Sequence, residues 1–290
     1  FGAGDRAGTH AAPGLLVHDQ RRFNTWRDED ERVPLVCPHT GSVLAFWGRL
    51  DNRDELVAAL GSAYDAATAS TDAALVLAAW RRWGDALPDH LLGDFALALY
   101  DPAQQGLLLL RDPLGVKPLY VSVQDGVLAF ANSASALRTL PGWRLTPDAD
   151  WMARYLVGQS KSDTATGYLE IHKVAPGQAQ WWQRGKPLRQ WTYHAWRDDA
   201  PWARRRDPVW VERYRSVLEE SIRCRMDSDY PLGTENSGGI DSATITAYLA
   251  HFLGTPGDRL HSFGFALCEQ EPAYILETSQ ACQITHNYLI

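Results

Sequence analysis

The sequence predicts two successive fold classes: an α+β domain of layered antiparallel sheets, then an α/β domain with a parallel sheet that is cut short. Three observations carry this. Short β-type runs separated by turn residues fill the region from about residue 14 to 140, strands and helices alternate after residue 209, and a glycine-rich strand-to-helix turn, "NSGGIDS", lies inside that alternating region. A length of 290 residues, with 45% hydrophobic and 22% charged side chains, fits about two globular domains.

In chain order, "GSVLAFWGRL", "LLGDFALALYD", "QGLLLLRD", "PLYVSV" and "GVLAFA" read as strands, broken by turn signals at Asp101-Pro102 and Asp125-Gly126. Two helices interrupt them. The clearer is "TDAALVLAAWRRWG", with Thr71 as N-cap, Val76, Ala79, Trp80 and Trp83 on one face, and Gly84 as the stop. Residues 141–208, rich in Trp, Pro and Arg and including the turn-like "VAPGQAQWWQRGKPL", read as a connecting region. From 209 the order is helix ("VWVERYRSVLEESIRCRM"), a strand near 231–236, a loop, a helix over 242–253 and a stop at Gly254 and Pro256. "LHSFGFAL" follows as a strand, "PAYILETSQACQI" as a helix and "THNYLI" as a strand. Such βαβ units need a parallel sheet covered on both faces and normally more than three strands. The second domain is therefore expected to lack its C-terminal part.

A formal net charge of -7 and a pI near 5.7 argue against nucleic acid or an anionic membrane as the main partner. Arg204, Arg205 and Arg206 form the only basic run, expected as a solvated linker. Cys37, Cys224, Cys268 and Cys282 show no metal-ligand spacing and are expected as buried free thiols of a reducing cytosol. No apolar run approaches the ~20 residues of a membrane span. The expected location is the cytoplasm. The chain opens at Phe1 without a methionine, so residues upstream of it stay an open question.

The chemistry centres on "NSGGIDS". Ser237, Gly238 and Gly239 allow a tight turn and let an anion approach backbone N–H groups. The helix that begins near Asp241 and Ser242 points its amino end at the same spot. Together these residues form a candidate pyrophosphate cradle, and the absence of Gly-Lys-Ser/Thr removes the main support for a kinase or GTPase. A glycine-rich helix cap with no ligand is the competing explanation. Asn236, unusual in a buried parallel strand, fits a strand end facing a nucleotide, or equally a solvated edge.

"SGGIDS" resembles the loop of enzymes that cleave ATP between its α and β phosphates. In that resemblance Asp241 lies near magnesium and phosphate, and Gly264 corresponds to backbone passing close to the adenosine. Ahead of it "GRLDNRDEL", "LLGDFALALYD", "RDPLGVKPLY", "FANSASALRTLPG" and "VAPGQ" occur in order. The series resembles the asparagine synthetase family: a glutamine amidotransferase domain of the N-terminal-nucleophile (Ntn-hydrolase) fold, expected here over residues 1–205, then an ATP-dependent synthetase domain, of which 206–290 would be the start. "RDPLGVKPLY" reads as an Arg/Asp-tied turn with Gly115 and Pro118 setting the bend.

The resemblance also exposes departures. The family's terminal cysteine position reads Phe1, with an upstream cysteine left open, and its Asn-Gly-Glu reads Trp47-Gly48-Arg49, where an indole cannot replace a carboxamide in an oxyanion hole. The Arg-Gly-Pro-Asp loop is not found. Asp72 alone matches a glutamine-binding position, and is equally explained as an acid in a helix first turn. Glutaminase activity is therefore expected to be lost. The resemblance implies AMP-forming amide synthesis from ATP, magnesium and a carboxylate, as in the β-lactam synthetase and lasso-peptide cyclase branches, where a precursor peptide can be the substrate. Two alternatives stay open: an asparagine synthetase proper, and a non-catalytic scaffold with a remnant ATP loop.

Overall fold

The computed structural model describes residues 5–29, 31–61, 64, 71–159, 162–196, 208–266 and 268–289. Phe1, the Arg204 to Arg206 run and the 205/206 boundary lie outside these residues. The chain divides into two compact units, Phe1–Arg22 with Asp30–Arg197, and Phe23–Glu29 with Asp198–Ile290.

The first unit opens with a hairpin, β1 (Arg6–Ala12) and β2 (Leu15–Arg21), turned at Gly14. Its main sheet is antiparallel and six-stranded, in the order β11-β10-β6-β5-β4-β3, with β3 (Leu35–Val36), β4 (Val43–Leu50), β5 (Gly93–Asp101), β6 (Gly106–Arg111), β10 (Gln178–Gln183) and β11 (Arg189–Thr192). A second antiparallel sheet has the order β8-β7-β9, from β7 (Tyr120–Gln124), β8 (Val127–Ala131) and β9 (His172–Lys173).

Side-chain alternation explains the layering. On one face of the main sheet Leu44, Phe46, Phe95, Leu97, Leu99, Leu108 and Leu110 pack against α1 (Arg53–Leu60) and α2 (Asp72–Trp83). On the other face Ala96, Ala98, Leu107 and Leu109 meet Leu119, Val121 and Val174 of the region around the second sheet. The continuous "LLLL" of β6 is thus buried on both sides, and each fully buried leucine contributes about 1.5–3 kcal/mol. Helix α2 starts as expected: the Thr71 side chain accepts from the Ala74 amide, and Gly84 ends it.

Two expectations are corrected. Residues 141–196 are integral to the fold and not a connector: they supply α4 (Ala149–Leu156), β9, and the two strands β10 and β11 that extend the main sheet. A short α3 (Ala134–Arg138) precedes them. Of the four thiols, all free, only Cys37 is buried; Cys268 is exposed and Cys224 and Cys282 are half-buried.

In the second unit α5 (Pro208–Arg223) leads through a 3-10 turn to β12 (Leu232–Glu235), then α6 (Ile240–Leu253), β13 (Leu260–Gly264), α7 (Glu271–Ala281) and β14 (His286–Leu289). The strands pair in parallel in the order β12-β13-β14. Ile222, Leu249, Ala250, Leu260 and Ile284 form its apolar core. Beside this core the buried strand positions are polar: Thr234 Oγ1 bonds Thr246 Oγ1 at 2.9 Å, and Ser279 Oγ bonds Ser262 Oγ at 3.3 Å. No helix of the described residues is long and apolar enough to cross a membrane.

Candidate phosphate-binding site and the altered amidotransferase positions

At the C-terminal end of β12 the chain turns through Ser237, Gly238 and Gly239 into α6. Within this turn Ser242 acts as the internal tie: its Oγ accepts from the Ser237 amide at 3.1 Å, pairs with Ser237 Oγ at 3.0 Å and donates to the Gly239 carbonyl at 3.1 Å. The amides of Gly239, Ile240, Asp241 and Ser242 have no acceptor among the described residues, as expected for the first turn of a helix. Ser237, Gly239, Ile240 and Asp241 are exposed, so the helix end that carries these donors opens to solvent, with the Asp241 carboxylate beside it. Their geometry, with the helix dipole behind it, suits a polyanion.

The two glycines differ in cause. Gly238 sits at φ +73°, and a Cβ there would lie 2.8 Å from Tyr274 Cβ, so the fold itself demands glycine. Gly239 has ordinary extended geometry (φ -79°, ψ 161°), and an added Cβ would meet only Ser237 Oγ, at 3.5 Å. Among the described residues nothing crowds a side chain at 239, so glycine there serves as the helix N-cap and leaves the approach to the amides open.

Asn236 is 1% exposed and faces inward. Its Nδ2 donates to the Ile275 carbonyl at 3.2 Å, its Oδ1 accepts from the Gly238 amide at 3.1 Å, and its own amide bonds the Phe263 carbonyl at 2.8 Å. The side chain thus shapes the turn from beneath and is not presented to a ligand. Gly264 is a packing glycine, since a Cβ would lie 2.9 Å from two Ile275 methyl carbons. The backing of the turn by Tyr274 and Ile275 of α7 was not visible in the sequence, where no spacing links them to it. Among the described residues no three His, Cys, Asp or Glu side chains gather as a metal site. Asp241 is a single exposed carboxylate, which fits a magnesium ion that takes most of its ligands from phosphates and water.

In the first unit, Trp47 is 39% exposed and carries Lys117 Nζ 5.0 Å above its ring. Gly48 has a reason of its own: a Cβ there would lie 2.1 Å from the Asp94 carbonyl of β5. Arg49 is held between Asp51 at 2.9 Å and Asp94 at 3.0 Å. Asp72 accepts from the Leu50 amide at 2.8 Å and pairs with Arg53.

"RDPLGVKPLY" is the tied turn anticipated. Buried Arg111 donates to the carbonyls of Lys117, Val174 and Gly115, at 2.9, 2.8 and 2.6 Å. Fully buried Asp112 accepts from the amides of Leu114, Val116 and Lys117, each at 3.0 Å. Burial lowers the Arg111 pKa and raises that of Tyr193, whose hydroxyl donates to the Arg111 carbonyl at 2.7 Å.

An antiparallel α/β/β-layered unit followed by a strand, glycine turn and helix of a parallel-sheet unit defines a two-part protein with a candidate anion-binding turn in its second part. Comparison agrees. The glutamine amidotransferase domain family matches residues 4–193 and the asparagine synthase family matches residues 213–290, and the chain belongs to the asparagine synthetase family. Among curated relatives, asparagine synthetase B [glutamine-hydrolyzing] of Escherichia coli is 31% identical over 217 residues, covering 74% of this chain and 33% of that one. Asparagine synthetase [glutamine-hydrolyzing] 3 of Bacillus subtilis is 26% identical over 239 residues, 81% and 38% of the two chains. Amidase chry2 of Gibberella zeae is 29% identical over 187 residues, 63% and 27%. The chain spans about a third of the length of these relatives.

Proposed function

We propose that this chain is part of an enzyme that forms an amide bond at the expense of ATP, through an acyl-adenylate. The observation that carries the reading is Gly239, uncrowded at the helix N-cap, beside four amides that have no acceptor among the described residues. In this reading residues 1–205 are an amidotransferase-like domain and 206–290 belong to the ATP-binding domain. The amides of Gly239 to Ser242 and the Ser237 hydroxyl hold the β and γ phosphates, and orient the α phosphorus toward the carboxylate. Bound magnesium would neutralise the departing pyrophosphate, with Asp241 as its protein ligand. Binding of magnesium pyrophosphate, measured by calorimetry, tests the site; no heat of binding above buffer refutes it.

Glutamine hydrolysis is absent from this reading. Trp47 supports that, since its indole offers no carboxamide donor, and so does Asp72, whose two oxygens are taken by Leu50 and Arg53. The amine then comes from the substrate itself or from ammonia, and the reading favours the peptide-macrolactam and other natural-product branches of the family. A precursor peptide is the corresponding carboxylate partner, and a cytoplasmic location accords with four free thiols. Stimulation of ATP/pyrophosphate exchange by a linear peptide favours this branch, whereas stimulation by aspartate would overturn it.

A further inference from the structure

Residues Phe23–Glu29 belong to the second unit although they lie about two hundred positions ahead of it in sequence. They form a self-braced turn. Asp28 Oδ2 accepts from the Asn24 amide at 2.9 Å, the Thr25 amide at 2.8 Å and Thr25 Oγ1 at 3.2 Å. So braced, the turn presents Asn24, the Trp26 amide and Arg27 to the loop that precedes β12. Asn24 Nδ2 donates to the Asp227 carbonyl at 2.9 Å, and the Asp229 amide donates to the Asn24 carbonyl at 3.0 Å. Ser228 Oγ bonds Asn24 Oδ1 at 3.0 Å, the Trp26 amide donates to Asp229 Oδ2, and Arg27 pairs with Asp227.

The loop gripped in this way is also held by Arg259, whose Nη2 donates to the Ser228 carbonyl at 3.4 Å just ahead of β13. It leads directly into β12, which is only four residues long. The far end of that strand is the Ser237 to Ser242 turn. A strand this short, about 13 Å at ~3.3 Å per residue, moves as a rigid piece, so fixing its start fixes its end.

We infer that the Asn24–Asp28 turn is a positioning element for the phosphate-binding turn: Asn24 and Arg27, through Asp227 and Asp229, set where β12 delivers Ser237 to Ser242. The inference rests on the reading of that turn as a phosphate site, but its grip on β12 can be measured without any ligand. These residues touch no reacting atom in this account.

The test is hydrogen–deuterium exchange on the 290-residue chain carrying Asn24→Ala or Asp229→Ala, with Asp229→Asn as the conservative variant, since its amide oxygen still accepts from the Trp26 amide. Each alanine variant is expected to speed exchange of the hydrogen-bonded amides from 232 to 238 roughly tenfold, the effect of one or two lost hydrogen bonds. Exchange in β14 and in β5 and β6 should stay unchanged, and Asp229→Asn should restore protection. Unchanged exchange over 232–238 overturns the inference, as does a uniform rise across the second unit or a failure of Asp229→Asn to rescue. Titration with magnesium pyrophosphate separates the two claims. Weakened binding in the alanine variants with intact Asp229→Asn supports positioning, equal binding in all four proteins overturns it, and a wild-type chain that does not bind overturns the phosphate reading while exchange still decides the anchoring.

Discussion

Replacing each of the two loop glycines by alanine should give opposite phenotypes. At Gly238 the new side chain must adopt φ near +73° and place its Cβ 2.8 Å from that of Tyr274. The backbone penalty is about 1–2 kcal/mol and the overpacking adds about 1–3 kcal/mol, so Gly238→Ala should cost roughly 2–5 kcal/mol. At Gly239 the backbone is already extended and the nearest atom is 3.5 Å away. A small loss of helix capping is there offset by a less flexible unfolded chain, for a net change within about 1 kcal/mol of zero. Urea unfolding followed by circular dichroism measures both. Calorimetry with magnesium pyrophosphate should then show Gly239→Ala folded yet weakened more than tenfold, or about 1.4 kcal/mol, because its methyl occupies the approach to the free amides. Gly239→Ala that binds as wild type, or Gly238→Ala as stable as wild type, would refute the reasoning.

Asp112→Ala leaves the amides of Leu114, Val116 and Lys117 without acceptors and should destabilise the first unit by about 3–5 kcal/mol, read from its urea midpoint. The whole protein should release no glutamate from glutamine above a heat-killed control. Burial raises the pKa of Asp19, with Arg21 opposing, so the folded state retains a proton that the unfolded state loses. Its contribution to stability is therefore lost as pH rises from the ordinary carboxylate range toward the raised folded value. Asp19→Asn should raise the melting temperature at neutral pH, and the difference should vanish in acid below the unfolded pKa; a difference that persists unchanged in acid contradicts this.

Local signals read well. Thr71 and Gly84 bracket a helix because a cap and a stop act within one turn, and the Arg111/Asp112 turn is tied mostly to backbone within a few residues. The glycine turn was legible for the same reason. What escaped depends on distant contacts. Strand β10 looked like loop because Gln180 is polar, yet it is buried by donating to Gln178 and accepting from Trp182. Asn236 read as a candidate ligand contact because the sequence does not show Ile275 and Gly238 consuming its amide. For Asp72 the sequence does not show that Arg53 and the Leu50 amide bond its carboxylate. The Asn24 turn gave no signal, since its partners lie at the other end of the chain.

The central claim is that the turn from Ser237 to Ser242 holds pyrophosphate, and amide NMR during titration with magnesium pyrophosphate tests it most directly. The account predicts saturable downfield shifts of the Gly239, Ile240, Asp241 and Ser242 amides, with Gly238 little changed because its amide is already bonded to Asn236. Shifts confined to other parts of the chain, or none at all, would contradict it.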